Sequence, residues 1–458
     1  MSRLRVWSPL AVILLAALLL RMGFVPDSGH ESDLSWYSRR AWSMKQFGFF
    51  SVYRQHPTDA PPLYITVLGV IGAIHSWGET PFLADNPALI PIFKIVPIGA
   101  ELGIIALAYA WLRRRAVWRW AVPSVIALCP PLILNTALWG QVDSLYVLIV
   151  VAALFALHHD KRWWVWGLFG VALTAKIQSV ILLPLLVVVC FRRYGWRNAL
   201  GGVIIAVLIV AAAVFPFAMG SGFDEALHPY FGAVGKYPVI TVNAFNLWYV
   251  VTPHKFALPF PYDYTLDSQP LSASLPLSMN QAGLAALGVC TLLILCAVWR
   301  GAKRTDPAER REFVWAAALY MVFFTLPTQI HERYLYPGVV LSIVALVQER
   351  RLIFVAIGSI YTFTYNLVIV LGVPLLTAAL WIPQASAAIA ALNLCLLVEM
   401  MGIAVFPLAV PPRRSRLHRA AIPIGQGMIT VNRFGILLLL SVLAGQILYR
   451  LRYPPLYW

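Results

Sequence analysis

Charged residues are what this chain has least of: Asp, Glu, Lys and Arg make up 12% of its 458 residues, against 60% hydrophobic ones. No soluble core of this length can hide so much apolar surface, which excludes an ordinary globular domain. A transmembrane barrel is excluded as well. Its strands would alternate polar and apolar residues in segments of about ten, whereas the apolar runs here are continuous. Acids are scarcer still, 19 against 35 Lys and Arg, for a formal charge of +16. That excess does not indicate a nucleic-acid binder, because the basic residues cluster in short loops between apolar runs and form no basic face or interleaved aromatic stripe. The five cysteines, Cys129, Cys190, Cys290, Cys296 and Cys395, lie in or beside apolar runs without a CxxC or a metal-like His/Cys spacing. Neither a disulfide framework nor zinc is implied. The first apolar run, about Pro9 to Phe24, lacks a small-x-small cleavage site and is expected to remain as the first helix. Internal repeats of the kind that many transporters carry are missing too.

Apolar runs of about 15 to 25 residues recur along the chain, as bilayer-spanning helices require. The expected fold is an all-α polytopic membrane protein. Its topology follows from basic loops at Arg113–Arg119, Lys161/Arg162, Arg192–Arg197, Arg300–Arg311, Arg350/Arg351 and Arg413–Arg433, all of which belong on the cytoplasmic side. They share one side only if the apolar stretch Pro61–Trp77, PPLYITVLGVIGAIHSW, does not cross, which makes it a re-entrant or juxtamembrane helix. The spans then run roughly over 8–25, 89–111, 120–138, 144–158, 163–175, 178–191, 199–219, 281–299, 312–327, 335–348, 352–373, 384–407 and 434–449. That is about thirteen helices, N-terminus inside and C-terminus outside. Two large extracytoplasmic loops remain, 25–87, rich in Asp, Trp, Tyr and Pro, and 220–280, rich in aromatics, Pro and Asn. Loops of that length without their own domain are uncommon and often functional.

With the basic loops inside, the remaining ionisable groups gather at the outer boundary, where a charge facing lipid costs about 3 kcal/mol or more. Asp33 and Asp59 fall in the first loop, Asp143 follows the helix ending at Trp139, and Lys176 separates two apolar runs. The stretch PTQIHERYLYP places His331, Glu332 and Arg333 in a row between two more. Plainer readings exist: Lys176 as a snorkelling anchor, and His331 to Arg333 as a polar turn joining two helices. Against the first, LTAKIQSVILLP holds no second anchor, and an outer lysine runs against the positive-inside trend. A shared depth for residues so far apart in the chain points to a single site. A carboxylate can take the proton of a hydroxyl, and Lys, Arg and His can hold a phosphate and stabilise the charge that grows as a bond to it breaks. Together they suit group transfer from a lipid phosphate, with no obligatory metal because the cations already supply positive charge.

Five segments, in this order, resemble the GT-C glycosyltransferases, polytopic enzymes that use polyprenyl-phosphate sugars. The likeness is nearest to the dolichyl-phosphate-glucose glucosyltransferases and their bacterial relatives. SDLSWYSRRAW resembles the family's first-loop motif, an Asp followed by an aromatic-rich amphipathic segment. TDAPPLYI resembles its Asp-Tyr-Pro-Pro-Leu segment, LWGQVDSLYV its helix-end Asp motif, and TAKIQSVILLP its Lys-Gln segment. NAFNLW followed by HERYLYP resembles the Asn-Phe-Trp and His-Glu-Lys/Arg signatures. The resemblance implies a GT-C fold, with residues 1–350 as the catalytic transmembrane module and 351–458 as C-terminal helices without a matching motif. It implies Asp33 as the base, Lys176, His331 and Arg333 as ligands of the donor phosphate, and Asp59, Asp143 and Gln141 as groups that orient sugar hydroxyls or brace the loop. Asn246 and Trp248 would line the site. Asp27 and Glu31 stand close enough to Asp33 to be alternative bases, and His56 and Glu101 are secondary candidates, Glu101 with a structural polar contact as its main reading.

The function implied is inverting transfer of a hexose, mannose or glucose class, from a polyprenyl-phosphate sugar to a lipid-linked or envelope glycan, on the extracytoplasmic side of a bacterial inner membrane. No cofactor and no metal are expected; the partners are the donor, a glycan or glycolipid acceptor and membrane lipid. A transporter or lipid flippase is the alternative. It expects charges at the bilayer midplane and paired broken helices, and Glu399 is the main midplane candidate. A scaffold subunit of an envelope complex is a third reading.

Overall fold

The computed structural model of the protein describes residues 3–27, 29–115, 117–232, 235–251, 262–272, 275–303, 306, 309–373 and 383–406. The expected span 434–449, the basic stretch Arg413–Arg433 and the expected outer C-terminus lie outside them. Two compact units share the chain: Met1–Tyr237 with Gly301–Glu312, and Pro238–Arg300 with Phe313–Trp458.

The first unit runs through α1 (Arg3–Met22), α2 (Glu31–Phe47), α3 (Val52–Gln55), α4 (Pro62–Ile74), α5 (Leu89–Leu112), α6 (Trp118–Ala127), α7 (Pro130–Ile133), α8 (Asp143–His158), α9 (Arg162–Ala175), α10 (Leu183–Tyr194), α11 (Trp196–Ser221) and α12 (Phe223–Phe231). Its helix breaks have chemical causes. The run expected as one span over 120–138 is bent by 48° between α6 and the segment Pro130–Trp139, where Pro130 and Pro131 supply no N–H to continue a ladder. Lys176 is extended, at φ −160° and ψ 132°, and separates α9 from a 3₁₀ turn, Ile177–Leu182, that leads into α10.

The first expected outer loop is folded. On α2, Leu34, Tyr37, Ala41 and Met44 fall on one face at helical spacing and pack on Tyr64, Ile65, Leu68 and Ile71 of α4, with Phe93 and Phe217 alongside. Asp33 therefore sits on the flank of a helix whose apolar face is fixed. The 13 residues of α4 reach about 20 Å, short of the ~30 Å hydrocarbon core. Length alone separates α4 poorly from α8 and α9, at 16 and 14 residues.

Four of the expected inner basic loops meet at one end of this unit. Glu312 accepts from Arg193 Nη2 at 2.7 Å and lies 3.4 Å from His158 Nδ1. Arg310 reaches the His158 carbonyl and, at 2.7 Å, Asp160 Oδ2. Trp111, at the end of α5, packs edge-on against His158, with ring centres 5.4 Å apart.

The second unit contains β1 (Val239–Val242), α13 (Leu247–Val251), β2 (Tyr262–Leu266), β3 (Pro270–Ser272), β4 (Leu275–Ser278), α14 (Met279–Gly301), α15 (Glu312–Thr325), α16 (Tyr336–Ala345), α17 (Ile353–Leu371) and α18 (Pro383–Val405). Here the all-α expectation needs amending: β1 pairs antiparallel with β2, and β3 with β4. The β-branched run Val-Ile-Thr-Val of β1 favours a strand, a local preference that a reading based on long apolar runs passes over.

Six helices among the described residues are long and apolar enough to cross a membrane, seven if the bent pair counts as one span. The chain is a multi-pass helical membrane protein. The expected thirteen included runs as short as 163–175, and several of the corresponding helices are shorter than the bilayer core requires.

Candidate functional site

Asp33 lies in the first turn of α2, its side chain 32% exposed. Its Oδ2 accepts hydrogen bonds from Trp139 Nε1 at 2.8 Å and Gln141 Nε2 at 2.7 Å. His30 Nδ1 is 3.5 Å from the same oxygen and 2.8 Å from Ser32 Oγ. Both donors are buried. LWGQVD folds to present them as follows. The helix that starts at Pro130 widens into a π-helical turn, Leu134–Trp139, and stops at Gly140 in the left-handed region, φ 85°. Wide turns of this kind recur at functional sites. The Gln141 N–H then returns to Asn135 O at 2.9 Å. A Cβ on Gly29, φ 58°, would meet Leu138 O at 2.1 Å, and one on Gly140 would approach Leu34 at 3.1 Å. These two glycines let the segment before α2 lie directly on the Trp139–Gln141 turn. Buried Lys94 of α5 ties that segment down, donating to Phe24 O at 3.0 Å and Asp27 O at 2.6 Å.

Asp27 and Glu31, the alternative bases, are exposed, and among the described residues no hydrogen bond reaches either carboxylate. Asp143, fully buried in the first turn of α8, is ion-paired with Lys176, which is 16% exposed and lies 5.4 Å from the Tyr146 ring centre. Asn135 links the two clusters: its carbonyl receives Gln141, and its Nδ2 lies 3.4 Å from Asp143 Oδ2. The first unit thus joins Asp33, Gln141, Asp143 and Lys176 through one turn. Asp59 stands apart and pairs with Lys236 at 2.9 Å.

Arg40 stacks on Trp36, with 3.3 Å from guanidinium carbon to ring centre. Burial pulls its pKa down to about 9, although nearby Asp59 pulls upward. Burial first, then the charges of Arg40 and Arg39, lowers the pKa of His56. Glu101 is a closed structural contact: Arg21 grips it through two nitrogens, at 3.0 and 2.5 Å, and Thr136 donates at 2.5 Å.

In the second unit His331, Glu332 and Arg333 follow a segment added to β1. Val242 N donates to Ile330 O at 2.9 Å and Gln329 N to Val239 O at 3.1 Å. Gln329 has φ 63°, a left-handed state that costs roughly 1 kcal/mol or more outside glycine. Asp267 Oδ2 holds it there, accepting from Gln329, Thr328 and Asn280 at 2.8, 2.8 and 2.9 Å. Arg333 Nη1 donates to buried Glu332 at 3.0 Å, and His331 Nδ1 is 4.0 Å from the same carboxylate. Asn246 and Trp248 are buried and face backbone, with Trp248 Nε1 donating to Leu326 O at 2.8 Å and Asn246 Nδ2 lying 3.4 Å from Pro327 O. Asn366 and Asn393, on the C-terminal helices for which the sequence offered no motif, fasten the same loop through Asn243 O and Phe245 O, each at 2.8 Å.

Lys94, Asp267, Asn366 and Asn393 lie outside every quoted motif, and Trp139, though inside LWGQVDSLYV, carries no assigned role there. For Trp139 the signal was an indole placed just before the helix-ending Gly140; the others carry none that local sequence shows. Among the described residues no three His, Cys, Asp or Glu side chains stand together as a metal site.

A multi-pass helical membrane protein with a half-buried carboxylate, held by indole and amide donors from the turn that ends the Pro130–Trp139 segment, fits the class of membrane-bound transferases. The chain belongs to glycosyltransferase family 87, whose family model matches residues 88–327, just over half of it. This is a GT-C-like family of membrane glycosyltransferases, as the motif resemblance implied. The chain is therefore a membrane glycosyltransferase, with a sugar donor and a glycan acceptor in the general sense. A search of curated proteins found no match. The matched segment contains Trp139, Gln141, Asp143, Lys176, Asn246 and Trp248; Asp33, Asp59, His331 and Arg333 lie outside it.

Proposed function

We propose that the protein transfers a hexose, mannose or glucose class, from a polyprenyl-phosphate sugar to a lipid-linked or envelope glycan on the extracytoplasmic face of a bacterial plasma membrane. What supports this reading most is Asp33, the one of three neighbouring acids that is both partly exposed and held by two buried donors. A carboxylate so placed serves as general base. It takes the proton of the acceptor hydroxyl as that oxygen bonds to the anomeric carbon from the side opposite the phosphate. The bond from that carbon to the phosphate oxygen breaks, its electron pair leaves with polyprenyl phosphate, and the configuration inverts.

Lys176, His331 and Arg333 are the groups for the donor phosphate. Lys176 and Arg333 each keep a carboxylate partner, Asp143 and Glu332, so each offers a phosphate oriented N–H donors more than net charge. Asp59, partly exposed beside Lys236, suits sugar hydroxyls, while Gln141 and Asp143 support Asp33 and Lys176, and Asn246 and Trp248 brace the loop of the second unit. No metal is required in this scheme.

The test is Asp33→Asn in purified protein, assayed with radiolabelled polyprenyl-phosphate mannose and glucose and a membrane lipid extract as acceptor. Asn can still accept from Trp139 and Gln141, so folding and donor binding persist while turnover falls by about 10²- to 10⁴-fold, and the wild-type rate survives EDTA. Undiminished turnover of Asp33→Asn moves the base elsewhere; transfer from neither donor by the wild type removes the donor class.

A further inference from the structure

We propose that Trp139 is a positioning residue, acting with Gln141 to decide which oxygen of Asp33 does the chemistry: Oδ2 is held by the two of them, and Oδ1 is the atom that receives the acceptor's proton. This rests on the reading of Asp33 as the base.

The two carboxylate oxygens of an isolated Asp are equivalent, because its terminal torsion is broad and two-fold. Here they differ. Both neutral N–H donors end on Oδ2, at 2.8 and 2.7 Å, and His30 approaches the same atom at 3.5 Å. Among the described residues no donor reaches Oδ1. Two bonds to a single oxygen fix the plane of the carboxylate and leave the other oxygen with its lone pairs open, on a side chain that is partly exposed. The indole can only donate, so it cannot compete for the proton. A phenyl ring would serve packing in that buried position; the N–H is what a phenyl lacks.

Backbone features hold the pair in register. Trp139 closes the π-helical turn, Gly140 reverses the chain, and Gln141 N–H is anchored to Asn135 O. The segment carrying Asp33 is pressed onto this turn at Gly29. In the step itself, the acceptor O–H bond breaks toward Oδ1, the freed oxygen pair forms the bond to the anomeric carbon, and the phosphate oxygen leaves with the old bonding pair. Without the two donors the carboxylate turns between orientations, and only a fraction of bound complexes present a ready base. That lowers kcat and leaves the binding of either substrate unchanged.

The experiment is a cycle of Trp139→Phe against Asp33→Glu in the full-length protein, with Asp33→Asn in parallel, using the donor that supports transfer. Asp33→Glu keeps a carboxylate but moves it off the two donors. The expected results are a kcat about tenfold lower for Trp139→Phe with KM for donor and acceptor unchanged, and less than a twofold further effect of the same change in Asp33→Glu. Gln141→Leu should behave alike, and stands in should Trp139→Phe fold poorly. An equal fold-loss in both backgrounds, or a raised KM at constant kcat, overturns the proposal by showing a role independent of the carboxylate. Retained turnover in Asp33→Asn is a different failure, that of Asp33 as the base.

Discussion

Replacing Lys176 by alanine separates the structural from the chemical share of that residue. The change leaves Asp143, fully buried, without its ion-pair partner and with Asn135 Nδ2 at 3.4 Å as a long hydrogen bond. Breaking a buried pair by removing one member costs about 3–5 kcal/mol, because the remaining charge stays desolvated, and neutralising that charge as well lifts most of the penalty. Lys176→Ala should therefore unfold at least several degrees below wild type in detergent, a shift of roughly 2–4 °C per kcal/mol being usual for chains of 150–250 residues and less for longer ones. Lys176→Ala with Asp143→Asn should recover most of that loss. Thermal unfolding followed by tryptophan fluorescence reads the stability, and binding of radiolabelled polyprenyl-phosphate sugar reads the function. If Lys176 also meets the donor phosphate, the double variant regains stability but not donor affinity. Wild-type stability of Lys176→Ala, or a double variant no better than the single one, refutes the latch between α8 and the end of α9.

Asp267→Ala removes the common acceptor of Asn280, Thr328 and Gln329 and should cost about 2–3 kcal/mol, seen as faster amide exchange over residues 326–333 and weaker donor binding. For His56 the folded-state pKa lies below its ordinary value. The unfolded chain therefore binds more protons in the window just below about pH 6.5, and stability falls as pH drops through it. His56→Gln should flatten the acid side of a Tm-against-pH curve, and an unchanged curve excludes His56 as the source. Ser76→Cys, at the end of α4 in a cysteine-free background, should react with an impermeant maleimide added outside the cell; labelling only from the cytoplasmic side overturns the juxtamembrane placement of 61–77.

Composition and hydropathy suffice for the class. Scarce charge and continuous apolar runs permit little besides a multi-pass helical protein, since each segment must satisfy its own backbone in lipid. The sequence also singled out Asp33, Asp59, Asp143, Lys176, His331 and Arg333, because an ionisable group beside a membrane span is costly enough to call for a reason; Gln141 entered only through the motif resemblance. What these groups touch is set by packing across the chain. Asp143 faces Lys176, and the Asp33 carboxylate is oriented by Trp139, 106 residues away. The segment leading into His331 and Arg333 pairs with a strand and is held at Gln329 by Asp267, while asparagines of the C-terminal helices fasten the loop that follows that strand. Hydropathy and charge are properties of single residues and short windows, so they report where a group sits relative to the bilayer. A hydrogen bond depends on ångström-scale distance and angle between distant segments, and only the packed chain sets those.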